Sequence, residues 1–306
     1  MNVREWALPV YTILMQLAVG ALLVLWVVRW FAGPRFSSGE MDRILRNPLL
    51  VILFTVIAAM IGSHFHLSKP FHSFYAVRNF AHSWLSREIV FTVCFFLMLF
   101  ALWYLSRYNK DKTRLLTTVG WISIFLGLVV VYCMARIYML PTQVAWNSPS
   151  VIVSFYTTTV LLGIMTIACL LVLDLKFAEI QQTDDIEIHV QMIRYGMVWL
   201  TVAACLAVVV NIGVTFYQIH MLGQGDVNAQ TSLHLLFELY TPLLMMRLFA
   251  IVVAPFWIGY AVYKMRNARL EPQRLMVPVY MSCLFILIGE ILGRFLFYAT
   301  HIRIGV

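Results

Sequence analysis

Eight long runs of predominantly apolar residues dominate this chain of 306 residues. Each run has about 20 residues or more, the length that an α-helix needs to cross the hydrocarbon core of a bilayer. The runs extend approximately over 8–31, 48–67, 88–106, 115–140, 151–175, 192–220, 232–265 and 275–301. The sequence therefore predicts an all-α integral membrane protein, a bundle of eight transmembrane helices. The seventh run exceeds the bilayer thickness, so we expect it to tilt or to begin with an interfacial turn.

The overall composition excludes several classes of protein. Hydrophobic residues make up 62% of the chain and charged residues 12%, about half the usual charged share. A soluble globule needs more polar surface than this, and the alternating strands of an outer-membrane β-barrel are absent. We therefore exclude a soluble enzyme and a nucleic-acid binder. We expect one transmembrane domain over residues 1–306, without a cleavable signal peptide.

The positive charges predict the orientation of the bundle. Of the 22 lysines and arginines, 14 lie in the loops that follow the first, third, fifth and seventh runs. Five lie on the opposite side, and three lie within the runs. Loops rich in lysine and arginine stay in the cytoplasm, so the net charge of +8 is a topology signal. Both termini are therefore predicted to lie outside, on the periplasmic side.

Ligands for metals and haem are scarce in this sequence. The five cysteines are isolated within apolar runs, so we expect them to be buried hydrophobic residues and expect no metal site. Seven of the eight histidines lie on or near the outer side, and the eighth is His189 in an inner loop. Haems stacked across the membrane need paired histidines at two depths. One haem near the outer face, for example between His66 and His301, stays an open alternative.

Ionisable residues within the apolar runs are costly and are candidates for function. Nearly all of them fall in the outer half of the bilayer, and we expect the inner half of every run to be apolar or nearly so. Each has a plain structural explanation, such as a helix dipole for Glu88, an ion pair for Glu290 and Arg294, or an aromatic belt for Tyr138. Their shared depth instead predicts a polar pocket near the outer interface. The ionisable residues are His64, His66, Glu88, Arg136, Glu238, Arg247, Glu290, Arg294 and His301.

These residue types suit the oxidation of a hydroquinone, which releases two electrons and two protons. A histidine titrates near neutral pH and accepts a proton, and a carboxylate that faces water passes the proton on. An arginine hydrogen-bonds a quinone oxygen or keeps a carboxylate charged. We predict His66 and Glu88 as the catalytic groups, with Glu88 facing water at the end of its loop. The predicted quinol-binding set is His66, Arg136, Tyr138, Arg247, Glu290, Arg294 and His301. We expect Glu290 and Arg294 to form a buried ion pair that lines the pocket.

Two blocks of sequence resemble a known family. The first is H-L-S-K-P at 66–70, which continues through F-Y-A-V-R-N-F to S-R-E-I at 86–89. The second is G-E-I-L-G-R-F-L-F-Y-A-T-H at 289–301, and R-I-Y at 136–138 is also similar. These blocks resemble the membrane anchor subunit of anaerobic dimethyl sulfoxide reductase. The chain departs from the family's usual H-L-G-S-P, and its inner loop at 178–189 is longer and acidic.

The resemblance implies a menaquinol-oxidising anchor without haem in a bacterial cytoplasmic membrane. His66 and Glu88 match the family's quinol-site histidine and the glutamate that closes the outer loop. Electrons would pass to a four-cluster iron–sulfur subunit, docked on the outer 2–3 and 6–7 loops, and on to a molybdopterin catalytic subunit. The protein would then act as the quinol-binding subunit of an oxidoreductase in anaerobic respiration.

Three other functions stay open at this point. The related anchor of polysulfide- or tetrathionate-type reductases is the nearest, and its quinone reaction runs in either direction. A secondary transporter or proton channel would normally place broken helices and a polar site near the bilayer midplane. The third is a purely structural anchor without a quinone site. The terminal electron acceptor and the quinone species are not determined by the sequence.

Overall fold

Nine α-helices make up most of the described part of the protein. The computed structural model describes residues 3–32, 38–64, 77–109, 112–180, 186–267, 272–300 and 302. These ranges contain no β-strand. A short 3₁₀ turn at Val77–Asn79 precedes the third helix. The helices are α1 (Val3–Ala32), α2 (Ser38–His64), α3 (Trp84–Tyr108), α4 (Thr113–Tyr138), α5 (Ser150–Ile180), α6 (Ile186–Gly223), α7 (Val227–Glu238), α8 (Thr241–Asn267) and α9 (Pro272–Ala299).

Eight of these helices are long and apolar enough to cross a bilayer, which confirms the predicted all-α membrane bundle. The molecule is therefore a multi-pass membrane protein. Large apolar side chains such as Phe125, Leu206, Val209 and Phe256 are 64–72% exposed along the spans. Outward-facing apolar side chains are expected where lipid, rather than water, surrounds the helices.

The seventh apolar run is divided between α7 and α8. Asp226 caps the start of α7, where its side chain accepts a hydrogen bond from the Ala229 backbone N–H at 3.0 Å. The division follows from Pro242, which has no N–H to donate to the carbonyl of Glu238, the last residue of α7. A separate segment therefore precedes the membrane span, as the excess length of this run predicts.

The spans form two groups of four helices. In the first group α1 packs against α2 and α4, and α3 closes the ring; in the second, α5, α6, α8 and α9 form a similar ring. The groups meet mainly where α1 crosses α5. A Cβ atom at Gly20 would lie 1.8 Å from the Thr159 carbonyl oxygen, and one at Gly163 would lie 2.2 Å from the Gly20 carbonyl carbon. Small residues let membrane helices approach this closely.

One end of the bundle carries most of the polar side chains in the spans. Here α1, α3, α5 and α8 begin, and α2, α4, α6 and α9 end. We refer to it as the site end. Because consecutive spans run in opposite directions, residues far apart in the sequence meet at this depth.

Candidate functional site

A cleft of about 710 Å³ opens at the site end between α5, α6, α8 and α9. This volume includes open solvent, and the lining combines apolar walls with a few polar groups, as small-molecule pockets do. Leu222, Leu236, Leu244 and Phe297 supply much of the apolar wall. The polar lining comes from Ser154, Thr158, Thr215, Gln218, Arg247, Glu290, Arg294 and Thr300.

Asn211 of α6 links two charged residues of the cleft. Its side-chain amide donates to Glu290 Oε1 at 3.1 Å, and its Oδ1 accepts from Arg247 Nη2 at 3.1 Å. The Thr158 hydroxyl donates to Glu290 Oε2 at 2.6 Å. Both oxygens of the buried Glu290 carboxylate therefore have a donor, as burial of a charged group requires.

Arg294 of α9 extends away from Glu290 toward α1. Its Nη2 donates to Gln16 Oε1 at 2.6 Å, and the Gln16 amide donates in turn to the Phe155 carbonyl at 2.9 Å. The Arg294 guanidinium also lies 4.0 Å from the centre of the Phe155 ring, a cation–π distance. Arg294 thus connects α9 to both α1 and α5.

The predicted ion pair between Glu290 and Arg294 is wrong. The two residues are four apart on α9 and both are buried, at 3% and 6% exposure. Among the residues that the structure describes, however, they make no direct salt bridge, and their hydrogen bonds run to other helices. Better-placed neutral partners on α1, α5 and α6 satisfy each charge separately.

Two glycines of α9 make room for α8. A Cβ atom at Gly293 would lie 2.6 Å from Arg247 Nε, and one at Gly289 would lie 2.7 Å from Ile251 Cγ1. These glycines form a G-x-x-x-G pattern, which permits close packing of membrane helices. Gly293 therefore accommodates the Arg247 guanidinium beside the α9 backbone.

Glu88 lies in the other helix group and does not line the cleft. Helix α3 begins at Trp84, so Glu88 belongs to its second turn, where it is 5% exposed. The Tyr11 hydroxyl of α1 lies beside Glu88 and is 3.4 Å from the Thr92 hydroxyl, one turn further along α3. The expectation that Glu88 faces water is therefore wrong, because this turn of α3 is buried within the helix group, beside Tyr11 of α1.

Arg136 is also separate from the cleft. Its guanidinium lies 5.0 Å from the Trp84 ring centre, and the Arg87 guanidinium lies 4.3 Å from the same ring centre. Arg136 Nη1 is 4.0 Å from the Met139 sulfur, and its buried Nε has no hydrogen-bond partner in the described part of the protein. Arg136 thus joins α4 to the start of α3.

An aromatic cluster connects the two polar regions. The Tyr138 and Tyr298 hydroxyl groups are in hydrogen-bond contact, and Trp146 Nε1 donates to the Phe297 carbonyl at 2.8 Å. Phe297 lines the cleft, and its ring centre lies 5.3 Å from that of Tyr138. Tyr138 therefore belongs to the wall between the regions.

Some predicted residues cannot be placed. His66 and His301 lie outside the described residues, as does the whole H-L-S-K-P block, and only the backbone of His64 is described. Within the described ranges, no group of three or more His, Cys, Asp or Glu side chains is arranged to hold a metal ion. All five cysteines are unpaired. Cys205 is exposed, so the predicted burial is wrong for this residue, which lies on an outward face of α6.

Three uncharged polar residues of the site were not predicted from the sequence, because only ionisable groups within the apolar runs were considered. Gln16, Thr158 and Asn211 contact the charged residues of the site, and a polar amide within an apolar run was the available signal. Asp174 was overlooked near the opposite end of α5. It is 8% exposed and accepts from Asn47 Nδ2 at 3.0 Å. The expectation of an apolar inner half is therefore wrong at Asp174.

Comparisons with known proteins agree over the full length. The family described as "DMSO reductase anchor subunit (DmsC)" matches residues 1–300. The anaerobic dimethyl sulfoxide reductase protein YnfH of Escherichia coli is 26% identical over 302 residues, covering 99% of this chain and 96% of the relative. The C subunit of the Haemophilus influenzae anaerobic dimethyl sulfoxide reductase is 24% identical over 307 residues, covering 100% and 98%. The corresponding C subunit of Escherichia coli is also 24% identical over 309 residues, covering 99% and 96%.

Proposed function

The chain belongs to the family of dimethyl sulfoxide reductase anchor subunits, and we propose that it oxidises menaquinol and passes the electrons to an iron–sulfur subunit. As an anchor of this family, it is part of an oxidoreductase assembly in a membrane. A molybdopterin subunit then reduces the terminal acceptor. The bundle lies in the bacterial cytoplasmic membrane with both termini and the site end on the periplasmic side, since the positive loops lie at the opposite end.

The cleft is the observation that carries this proposal. It places two arginines and a carboxylate beside the apolar side chains of Leu236, Leu244 and Phe297. A quinol likewise combines an apolar ring system with two polar oxygens. The apolar wall accepts the ring, and Arg247 donates to one oxygen. Glu290 and Arg294 complete the polar end of the site.

The protons leave through groups at the same end of the bundle. His66 accepts a proton from the quinol, because imidazole titrates in the physiological range. Glu88 receives protons within the other helix group, where its side chain is buried beside Tyr11. Arg136, Tyr138 and His301 complete the polar surroundings of this route.

The electrons leave on the same side as the protons. The iron–sulfur subunit docks on the segments between α2 and α3 and between α6 and α8. Short helix α7 lies in the second of these segments and presents Val227, Phe237 and Leu239 as exposed apolar side chains. Exposed apolar side chains at a membrane edge favour contact with a partner protein.

Arg247→Gln in the purified complex tests the proposal. Quinol-driven turnover should fall about 10- to 100-fold, since a hydrogen bond from a charged group is lost. Turnover driven by an artificial dye that reduces the partner subunits directly should be unchanged. Lys264→Gln is the matched control, because Lys264 is an exposed cation at the opposite end of the same helix. Equal quinol-driven turnover in the two variants would overturn the assignment of the cleft.

A further inference from the structure

We propose that Asn211 is a positioning residue that keeps Arg247 and Glu290 from pairing directly, and so leaves a guanidinium N–H of Arg247 available to a ligand oxygen in the cleft. This inference rests on the proposed function of the cleft and adds a residue and a role to it. Asn211 does not line the cleft, and it acts only through the two charged residues that do.

The hydrogen-bond pattern defines how the Asn211 amide is oriented. Asn211 is 2% exposed, and both ends of its amide are engaged at 3.1 Å. A carboxylate only accepts and a guanidinium only donates, so the NH₂ group must face Glu290 and the oxygen must face Arg247. The flipped amide would place donor against donor and acceptor against acceptor. The amide is therefore a spacer between two opposite charges.

The spacer changes which donors of Arg247 are engaged. A carboxylate and a guanidinium in direct contact form a fork that uses two N–H groups. In the described structure Arg247 and Glu290 form no direct salt bridge, and Nη2 alone among the Arg247 nitrogens has a hydrogen-bond partner. Nε is buried without a partner, close to the α9 backbone at Gly293. The two N–H groups of Nη1 and the second N–H group of Nη2 are therefore the donors left for a ligand.

The Glu290 carboxylate also has hydrogen-bond donors other than Arg247. Thr158 donates to one carboxylate oxygen and Asn211 to the other, so the charge is satisfied without Arg247. Without the Asn211 amide, a buried carboxylate and a guanidinium on facing helices attract strongly enough to close the gap. A direct pair would then compete with the ligand for the guanidinium.

The test measures the KM for menadiol and the inhibition constant for menadione in the purified complex. Asn211→Ala should raise both by about 10-fold, since one good hydrogen bond to a charged group is worth at least this factor. The dye-driven turnover should stay at the wild-type value. Adding Glu290→Gln to Asn211→Ala should recover most of the affinity for menadione, because a neutral amide cannot pair with Arg247 as an ion. A merely structural Asn211 would not be rescued in this way.

Controls separate this inference from the proposed function. Thr201→Ala, on the same helix, removes a hydroxyl that bonds only to the Met197 carbonyl, and it should leave both constants unchanged. Asn211→Ser, too short to bridge both charges, should reproduce the loss of affinity if Asn211→Ala does not assemble. If Arg247→Gln weakens menadione binding but Asn211→Ala and Asn211→Ser do not, the inference is overturned and the cleft stands. If the Arg247→Gln variant binds menadione as tightly as wild type, the proposed function of the cleft is overturned.

Discussion

Tyr138 at the end of α4 and Tyr298 near the end of α9 join their hydroxyl groups across 160 residues of sequence. This contact connects the helix group of Glu88 to the helix group of the cleft. It also places two hydroxyl groups inside a wall of aromatic rings, where each depends on a hydrogen bond to offset its burial.

Replacing one of these tyrosines should reduce the stability of the complex more than replacing both. Tyr138→Phe or Tyr298→Phe removes a hydroxyl from a buried hydrogen bond and should destabilise the complex by about 1–3 kcal/mol. The double variant replaces both partners by apolar groups of the same shape and should lie closer to wild type. Thermal inactivation of dye-driven turnover measures this. Strictly additive losses would show that the two hydroxyl groups do not support each other.

His66→Ala should abolish quinol oxidation while the complex still assembles, because the proposed first proton acceptor is missing. Quinol-driven and dye-driven turnover, measured side by side, separate the two effects. His82→Ala is the matched control, since His82 is an exposed histidine close to the start of α3. Normal quinol oxidation by the His66 variant would remove this residue from the mechanism.

Glu88→Gln should slow quinol oxidation far more than dye-driven turnover. Glutamine preserves the size and the polarity of the side chain, but it cannot take up a proton. Glu238→Gln serves as the control, because Glu238 lies at the same end with 67% of its side chain exposed and pairs with His234. An equal loss in both assays would indicate an assembly defect instead of a proton-transfer role.

Arg294 should be coupled more strongly to Gln16 than to Glu290. A double-mutant cycle with Arg294→Met and Gln16→Leu should give a coupling free energy of about 1–3 kcal/mol, the range for neighbours that share a hydrogen bond. The cycle that combines Arg294→Met with Glu290→Gln should give a smaller value, because these two side chains have separate partners. Thermal inactivation midpoints of the purified complexes supply both energies. A larger coupling free energy for Arg294 with Glu290 than for Arg294 with Gln16 would instead support a direct ion pair.

Gly20→Ala should prevent accumulation of the folded bundle. The added methyl would lie 1.8 Å from the Thr159 carbonyl oxygen, a backbone atom that cannot move aside without separating α1 from α5. Gly62→Ala is the control, since its methyl would have no neighbour within 4 Å. That control should be neutral or slightly stabilising, because alanine favours a helix over glycine by about 1 kcal/mol. The amount of anchor in washed membranes measures both outcomes.

The sequence by itself determined the eight spans and the depth of the polar residues. Both are local properties, because the length of an apolar run decides whether it crosses a bilayer and the position within that run decides the depth. The division of the seventh run also follows from local chemistry, since Pro242 interrupts the helix there. The blocks around Glu88 and Glu290 were enough for the family to be identified by resemblance.

Only the tertiary structure decided which polar groups meet. Spacing along α9 suggested that Arg294 pairs with Glu290, but Arg294 reaches Gln16 on α1 and Glu290 is held by Thr158 and Asn211. A helical period states which face a side chain is on, but not which helix covers that face. In this bundle the answer depends on helix packing, including the close approach of α1 and α5 at Gly20, which brings hydrogen-bond partners from three helices to α9. A buried charge binds the best donor or acceptor within reach, and helix packing determines which groups are within reach.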